Sequence, residues 1–260
     1  MSNEKSVYIH GETGNIGSAF HKVIDTSSRY VHVDTANNAD IIGLCVPSHI
    51  GATLLNQVLK DQLVIDFSGA AKQTQIGNYG LINSAGELWL PVAQELNIYG
   101  NPGCMAAAVL IGLEQSGVLG YTKNSLTITA VGGEKYSPSG STGELWVARR
   151  THEHPHVAEI EHALESYDIS IASFVPIISR RTKSGLLVTV SGELSDTYTK
   201  SDSSKSAVDV KSVVGSDKLV SRLEVYTDSS DIKRFMLHMA IDNIHFVVAN
   251  ALKLMDIITK

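Results

Sequence analysis

Strand and helix patterns alternate through the first part of the chain. Short apolar runs predict strands at residues 6–10, 30–34, 40–46 and 63–67, and amphipathic stretches predict helices at 16–24 and 51–59. The run at 40–46 is continuously apolar, which is typical of a strand buried on both faces of a parallel sheet. We therefore expect a doubly wound α/β sheet in this part of the chain.

The pattern changes after Ser125. Longer strands are predicted at 126–130, 185–190, 221–226 and 234–240, with few helices between them. The apolar run after Cys104 predicts a buried helix, residues 243–258 predict a final helix, and the polar stretch 195–217 predicts a mobile surface loop. We expect two domains, 1–103 with 242–260 and 104–241, the second being α+β with a mainly antiparallel sheet.

Composition narrows the class of protein. Hydrophobic residues make up 43% of the chain and charged residues 18%, as in a folded globular protein. The formal net charge of −6, without a Lys/Arg stripe, argues against a nucleic-acid surface. We expect no membrane span and no signal peptide, because no apolar run is long enough and the N-terminus leads straight into a strand. The 2 cysteines suit a reducing cytoplasm without disulfides.

A glycine loop, Gly-Glu-Thr-Gly-Asn-Ile-Gly at 11–17, lies between the first predicted strand and the first predicted helix. Backbone N–H groups in such a loop approach a pyrophosphate at the helix N-terminus, as in a Rossmann-type nucleotide-binding domain. A tight turn without a ligand is the alternative. The predicted cofactor contacts in the loop are Gly11, Thr13, Gly14, Asn15, Ile16 and Gly17.

The choice between NAD and NADP stays open at this point. Asp34 ends the second predicted strand, where an acidic residue commonly binds the ribose hydroxyls of NAD and repels the extra phosphate of NADP. Ser28 and Arg29, just before that strand, could instead receive this phosphate.

Cys104 is the candidate nucleophile. Pro102 and Gly103 predict a turn, which places Cys104 at or beside the N-terminus of the helix that follows. A thiol there loses its proton more readily, because unpaired N–H groups and the helix dipole stabilise the thiolate. A small buried residue in a tight turn is the alternative. Cys45 lies within an apolar run and is interpreted as an inert core residue.

The histidine-rich segment 152–159 is the second candidate. Pro155 suits the first position of a helix, with His154 at the cap, and His156 and Glu159 then share one face. A carboxylate that orients an imidazole is a common arrangement for a general acid/base. The buried stripe of this helix is predicted to be Val157, Ile160, Leu164 and Tyr167.

Two alternatives remain for this segment. A solvated histidine-rich turn without function is one of them. A metal site is the other, since His-x-His supplies two ligands, but we see no third ligand nearby and expect no metal.

Taken in order, these motifs resemble N-acetyl-gamma-glutamyl-phosphate reductase, within the aspartate-semialdehyde dehydrogenase superfamily. The strongest matches are the glycine loop, the Asn-Pro-Gly-Cys segment at 101–104, His-x-His-x-x-Glu-Ile at 154–160 and Asp-Asn-Ile at 242–244. Weaker matches lie at 45–49, 64–69, 79–81 and 174–176, so the resemblance spans nearly the whole chain.

The chain also departs from this family. Only residues 35–39 separate the second strand from the third, so the resemblance implies that a helix and a strand of the nucleotide domain are missing. Lys72 replaces an Arg, Met-Ala-Ala at 105–107 replaces Tyr-Pro-Thr, and His245 and Phe246 stand where the family has Lys-Gly. These changes fall at expected substrate and cofactor contacts.

The resemblance implies a reaction. An NAD(P)H-dependent enzyme would reduce an acyl phosphate, N-acetyl-gamma-glutamyl phosphate in arginine biosynthesis, to its semialdehyde through a Cys104 thioester. His156 would be the acid/base and Glu159 would orient it. The implied substrate contacts are Lys72, Asn101, Ser139 and His154, and the further cofactor contacts are Pro47, Ser48, Ser68 and Asn243.

The resemblance further implies a dinucleotide-binding first domain and a catalytic second domain, whose sheet would build a homodimer or homotetramer. The family favours NADP, whereas Asp34 favours NAD. Two other functions are considered: a reductase for another activated amino acid, such as aspartyl phosphate or a carrier-bound substrate, and a non-catalytic dinucleotide-binding sensor.

Overall fold

The computed structural model describes residues 4–57, 62–92, 96–133, 144–147, 153–200 and 206–260. The chain divides into two compact units. The first unit comprises Met1–Gly103 and Val247–Lys260, and the second comprises Cys104–Phe246.

A parallel six-stranded sheet with the strand order β2-β1-β3-β4-β6-β5 forms the centre of the first unit. Its strands are β1 (Lys5–His10), β2 (Tyr30–His32), β3 (Ile41–Leu44), β4 (Leu63–Asp66), β5 (Asn78–Tyr79) and β6 (Ile98–Gly100). Every residue of β3 is buried, as expected from its continuous apolar run. The helices are α1 (Asn15–Asp25), α2 (Ser48–Leu55), α3 (Ala70–Thr74) and the C-terminal part of α6 (Asn243–Ile258).

The strand order places a crevice beside β1. The chain passes from β1 to β2 on one side, and the next strand, β3, lies on the other side of β1. Connections that leave in opposite directions open a crevice at the carboxyl ends of the strands, where open α/β sheets bind ligands. Only a short 3₁₀ turn, Ala36–Asn38, joins β2 to β3.

The second unit is built on a mixed sheet. Its order is β11-β12-β10-β7-β9-β8, and its pairs are antiparallel except for β7 with β9. The strands are β7 (Thr122–Gly133), β8 (Leu145–Val147), β9 (Ser170–Ser179), β10 (Leu186–Leu194), β11 (Leu219–Thr227) and β12 (Lys233–Ile241). The expected fold class, a Rossmann-type α/β part and a mainly antiparallel α+β part, is confirmed.

Helix α4 (Cys104–Ser116) forms the core of the second unit. It packs against β10, β11, β12 and helix α5 (Pro155–Leu164). Met105 to Leu113 are all buried. A Cβ atom on Gly112 would lie only 1.8 Å from the Sδ atom of Met239, which is fully buried on β12. The helix therefore approaches the sheet closely because this position carries no side chain.

Some sequence-based boundaries differ from the structure. Helix α2 was expected at 51–59, but it begins at Ser48, directly after Pro47. Tyr167 was expected on the buried stripe of α5, yet it lies beyond the helix end and is 43% exposed. Within the segment expected to be a mobile surface loop, Tyr198 and Val213 are buried, and residues 201–205 lie outside the described part of the chain. No helix within the described ranges has the length and apolar character needed to cross a membrane.

Gly112→Ala is expected to lower the free energy of unfolding by about 1–3 kcal/mol, because the added methyl group overpacks a buried interface. Gly120→Ala is the matched control, since no atom of the described residues lies within 4 Å of its Cβ position, and we expect a change within about 0.5 kcal/mol. Urea denaturation measures both variants. Equal stabilities would contradict the tight packing of α4 on β12.

Candidate active site

The glycine loop folds tightly at the carboxyl end of β1. Gly11 has φ of +81°, and a Cβ atom there would lie 2.4 Å from the carbonyl oxygen of Cys45. A Cβ atom on Gly17 would lie 2.1 Å from the carbonyl oxygen of Gly11. The loop therefore packs against itself and against the β3–α2 turn with no room for side chains at these two positions.

The start of α1 fits a dinucleotide's pyrophosphate. Gly14 is the N-cap and offers no side chain to the helix, and the first turn carries no acidic residue. The N–H group of Gly14 donates to the carbonyl oxygen of Gly11 at 3.1 Å, which closes the loop. The N–H groups of the first helical turn have no intrahelical acceptor and lie at the positive end of the helix dipole. An anionic group can therefore bind there.

Other predicted cofactor residues lie along the same edge of the first sheet. Asp34 follows β2 and is exposed, and Thr13 is exposed in the glycine loop. Pro47 is exposed and Ser48 half-buried where α2 begins. Since the strands are parallel, their carboxyl ends bring these residues to one edge of the sheet.

Ser68 follows β4 at this edge and also supports the backbone. Its hydroxyl donates to the carboxylate of Asp66, a fully buried residue, and accepts from the N–H of Ala70 at 3.2 Å. The same carboxylate accepts from the N–H of Ala71 at 2.8 Å. These bonds hold the first turn of α3, and a contact between Ser68 and a cofactor stays a prediction.

Two predicted residues lie elsewhere. Asn243 belongs to the second unit, where its buried side chain accepts a hydrogen bond from the N–H of Gly185 at 3.1 Å. Its role toward a cofactor stays a prediction. Ser139 lies outside the described residues.

The side chain of Asn101 bonds within the first unit. It is 2% exposed, its Nδ2 atom donates to the carbonyl oxygen of Val247 at 3.0 Å, and its Oδ1 atom accepts from Nδ2 of Asn250 at 2.8 Å. Asn250 also binds the backbone of Gly80 and Ile82, at 2.8 and 2.9 Å. The amide of Asn101 thus joins the end of β6 to α6, and its predicted role in substrate binding stays a prediction.

Lys72 reaches the same strand end. Its Nζ atom donates to the carbonyl oxygen of Asn101 at 2.8 Å. The backbone N–H of Asn101 donates to the carbonyl oxygen of Asp66 at 2.9 Å. The ammonium group of Lys72 is therefore held at Asn101. This residue is two positions before Gly103, where this segment of the first unit ends.

The two thiols have different surroundings. Cys104 is the first residue of α4 and is half-buried, and the first turn of that helix carries no acidic residue. Cys45 follows β3, and burial, together with the nearby charge of Asp66, raises the pKa of its thiol. By exposed area Cys45 is half-buried like Cys104, so it is not the fully buried core residue that was expected. The raised pKa of Cys45 distinguishes the two thiols, and the role of Cys104 as a nucleophile stays a prediction.

A stacked pair of imidazoles opens α5. His154 is the N-cap and Pro155 the first helical residue, as predicted. The rings of His154 and His156 are stacked with centroids 4.8 Å apart, and the ring of Phe174 lies 4.9 Å from that of His154. Phe174 on β9 thus supports the pair from the sheet.

Hydrogen bonding places the Nδ1 atoms of the two rings close together. The Nδ1 atom of His154 accepts from the backbone N–H of His156 at 3.3 Å, so it carries a lone pair. The Nδ1 atom of His156 lies 3.2 Å from this atom, and which of the two ring nitrogens carries a proton depends on the tautomers. The role of His156 as a general acid/base stays a prediction. Glu159 is buried on the same helix, and its action on His156 stays a prediction.

No protein-family model matches the sequence, and a search of curated proteins gives no match. Solved structures do match. Aspartate semialdehyde dehydrogenase II from Vibrio cholerae, complexed with ASA, has a TM-score of 0.75 at 12% identity. A probable aspartate-semialdehyde dehydrogenase from Pseudomonas aeruginosa has 0.76 at 15%, and aspartate semialdehyde dehydrogenase with NADP from Candida albicans has 0.70 at 10%. In each case 99% of both chains is covered.

This chain has the aspartate-semialdehyde dehydrogenase fold. The structural similarity to these enzymes extends over the full length of the chain. It does so although the connection between β2 and β3 contains only a 3₁₀ turn.

Sequence reasoning missed two residues of this region. Asn250, the partner of Asn101, is a polar residue on an otherwise apolar part of α6, and that contrast was the available signal. Phe174, beneath the histidine pair, was noted only as part of a weak motif, because nothing local links a strand residue to a helix cap.

Asn101→Ala is expected to lower the free energy of unfolding by about 1–3 kcal/mol, because it leaves the amide of Asn250 and the carbonyl of Val247 buried without their partner. Asn37→Ala, which removes an exposed amide in the same unit, is the control and should change stability by less than about 0.5 kcal/mol. Thermal and urea denaturation measure both. If Asn101→Ala is as stable as the wild type, the hydrogen bonds of Asn101 with Val247 and Asn250 do not stabilise the fold.

Iodoacetamide at pH 7 is expected to alkylate Cys104 of the folded protein at least about tenfold faster than Cys45, because only the thiolate reacts and burial keeps Cys45 protonated. Peptide mass spectrometry follows both sites. In denaturant the two rates should converge, which serves as the control. Equal rates in the folded protein would remove the distinction between the thiols.

Proposed function

We propose that this protein reduces an acyl phosphate to its semialdehyde, with NAD(P)H as the reductant and Cys104 as the nucleophile. One observation carries the proposal. Within the second unit, the helix that begins at Cys104 packs against the helix that begins with the His154–His156 pair. A thiol at a helix start and an imidazole that can exchange a proton are the groups that covalent acyl transfer needs.

Cys104 performs the first step. Its sulfur attacks the carbonyl carbon of the acyl phosphate, the bond from this carbon to the phosphate oxygen breaks, and phosphate departs with the electron pair. His156 takes the thiol proton and passes it to the departing phosphate. The product is a thioester on Cys104, which accepts hydride more readily than a carboxylate does.

A bound reduced nicotinamide would supply the hydride to the thioester carbon. The carbon–sulfur bond of Cys104 then breaks as the carbonyl forms again, and the aldehyde leaves. Sulfur departs as the thiolate and regains a proton from solvent through His156. Stacking on His154, above Phe174, holds the ring of His156 in place for both proton transfers.

The first unit supplies the groups that would hold the dinucleotide. The N–H groups at the start of α1 would bind the pyrophosphate, and Gly11 and Gly17 keep the loop clear of side chains. Asp34 would bind the ribose hydroxyls and favours NAD. The Candida albicans structure of the same fold was solved with NADP, so both cofactors are included in the proposal.

For the substrate we infer N-acetyl-gamma-glutamyl phosphate, on the strength of the motifs at 101–104 and 154–160. His154 and Lys72 are proposed to bind its anionic groups, and Asn101 and Ser139 are further proposed substrate contacts. A homodimer or homotetramer remains part of the proposal. Aspartyl phosphate is the second candidate, because the matching structures are aspartate-semialdehyde dehydrogenases and one is complexed with ASA.

Cys104→Ala is expected to lower kcat/KM for acyl-phosphate reduction by about a thousandfold or more, because no thioester can form. The loss is measured in the reverse direction, as phosphate-dependent oxidation of the semialdehyde. The semialdehydes that correspond to N-acetyl-gamma-glutamyl phosphate and to aspartyl phosphate are each assayed with NAD and with NADP. Dinucleotide affinity, measured by calorimetry, should stay within about twofold of the wild type, which shows that the variant is folded.

The outcomes separate the alternatives. Turnover of only one semialdehyde identifies the substrate. Dinucleotide binding by the wild type without turnover of either would favour a non-catalytic sensor, and full activity of Cys104→Ala would exclude the covalent mechanism.

A further inference from the structure

Three side chains with metal-binding atoms converge at the carboxyl edge of the first sheet. Glu12 lies in the glycine loop, His21 on α1 and His32 at the end of β2. Within the described ranges, their ligand atoms form the one such group of three, and all lie within 4.8 Å of one another. None of these residues has a role in the reaction proposed above.

The distances suit a tetrahedral ion. Zinc binds nitrogen and oxygen at about 2.0–2.1 Å, so two ligands of a tetrahedral site lie about 3.3 Å apart. The Oε2 atom of Glu12 lies 3.3 Å from Nε2 of His32 and 3.8 Å from Nδ1 of His21. Glu12 is 46% exposed and His21 31% exposed, so small rotations of these two side chains can close the site.

Asp25 orients one of the ligands. The Nε2 atom of His21 lies 3.3 Å from the Oδ1 atom of Asp25, one turn further along α1. A proton on Nε2 directed at this carboxylate leaves the lone pair of His21 on Nδ1, the atom that is directed at Glu12. Metal-binding histidines commonly carry such a carboxylate behind them, which sets the tautomer and raises the basicity of the ring.

His32 provides an independent sign of a ligand. Its side chain is only 16% exposed, and its Nε2 atom is buried without a hydrogen bond of normal geometry to any residue in the described part of the chain, the Oε2 atom of Glu12 being 3.3 Å away. A buried polar atom without a well-formed hydrogen bond is unfavourable, because it has lost its bond to water. The rings of His32 and His21 lie against each other, with centroids 4.1 Å apart, so both present nitrogen to the same carboxylate.

We propose that Glu12, His21 and His32 bind a divalent transition-metal ion of the zinc class, through Oε2, Nδ1 and Nε2. Two imidazoles with one carboxylate favour such an ion over magnesium or calcium, which prefer oxygen ligands. The fourth position stays open to water or another small ligand. Because Glu12 belongs to the glycine loop, the ion would tie this loop to α1 and β2. This inference revises the sequence-based expectation that the chain has no metal site.

Isothermal titration of the chelator-treated full chain with ZnCl₂ tests the proposal. We expect one ion per chain, bound through the named residues. His21→Ala, His32→Ala and Glu12→Gln should each weaken binding by more than about 100-fold, and Asp25→Asn by about 10–100-fold. Cobalt(II) should give the intense visible absorption of a tetrahedral site in the wild type, and this band should disappear in the ligand variants.

Two control variants locate the site. His162→Ala removes an exposed histidine that also lies beside a carboxylate, Glu165, and zinc affinity should not change. His154→Ala tests the His-x-His segment and should leave zinc affinity within about twofold; circular dichroism confirms folding of each variant. Absence of zinc binding by the wild type, equal binding by the ligand variants, or loss of binding only in His154→Ala would each overturn the proposal. None of these readouts depends on enzymatic activity.

Discussion

The buried amide of Asn101 is the interaction on which the arrangement of the first unit depends. Its two polar atoms are bound by Val247 and Asn250, its backbone carbonyl by Lys72, and its N–H by the carbonyl of Asp66. Buried amides of this kind allow few alternative positions, because any displacement leaves several polar groups without partners. The strand end that precedes Pro102 and Gly103 is therefore held by polar contacts, whereas the helix after Gly103 is held by apolar packing.

The same side-chain chemistry has different consequences in different surroundings. Cys45 and Cys104 carry identical thiols, but Cys45 lies near the carboxylate of Asp66 and has a raised pKa, whereas Cys104 opens a helix. The histidines differ in a similar way. The rings of His154 and His156 stack on each other, and the ring of Phe174 lies against His154. The rings of His21 and His32 instead lie beside the carboxylate of Glu12. Chemical roles in this protein follow from partners brought by the fold, and residue type alone does not assign them.

The sequence supports prediction where the signal is local. The glycine loop, the start of α4 at Cys104 and the cap of α5 at His154 each depend on neighbours within one turn, so their patterns are visible in the chain. The boundaries of α2 and the exposure of Tyr167 were less well predicted, since helix ends respond to packing as well as to propensity. The contacts of Asn101, Ser68 and Asn243 within the fold were not foreseen.

The sequence by itself determined the α/β order of the first unit, the mainly antiparallel second unit and the positions of the candidate thiol and base. Only the tertiary structure decided which distant residues meet: Asn101 with Asn250, His154 with Phe174, and Glu12 with His21 and His32. The physical reason is range. Helix hydrogen bonds and the side-chain alternation of a strand follow from neighbouring residues, whereas a buried amide pair or a metal site depends on side chains that only the folded sheet brings together.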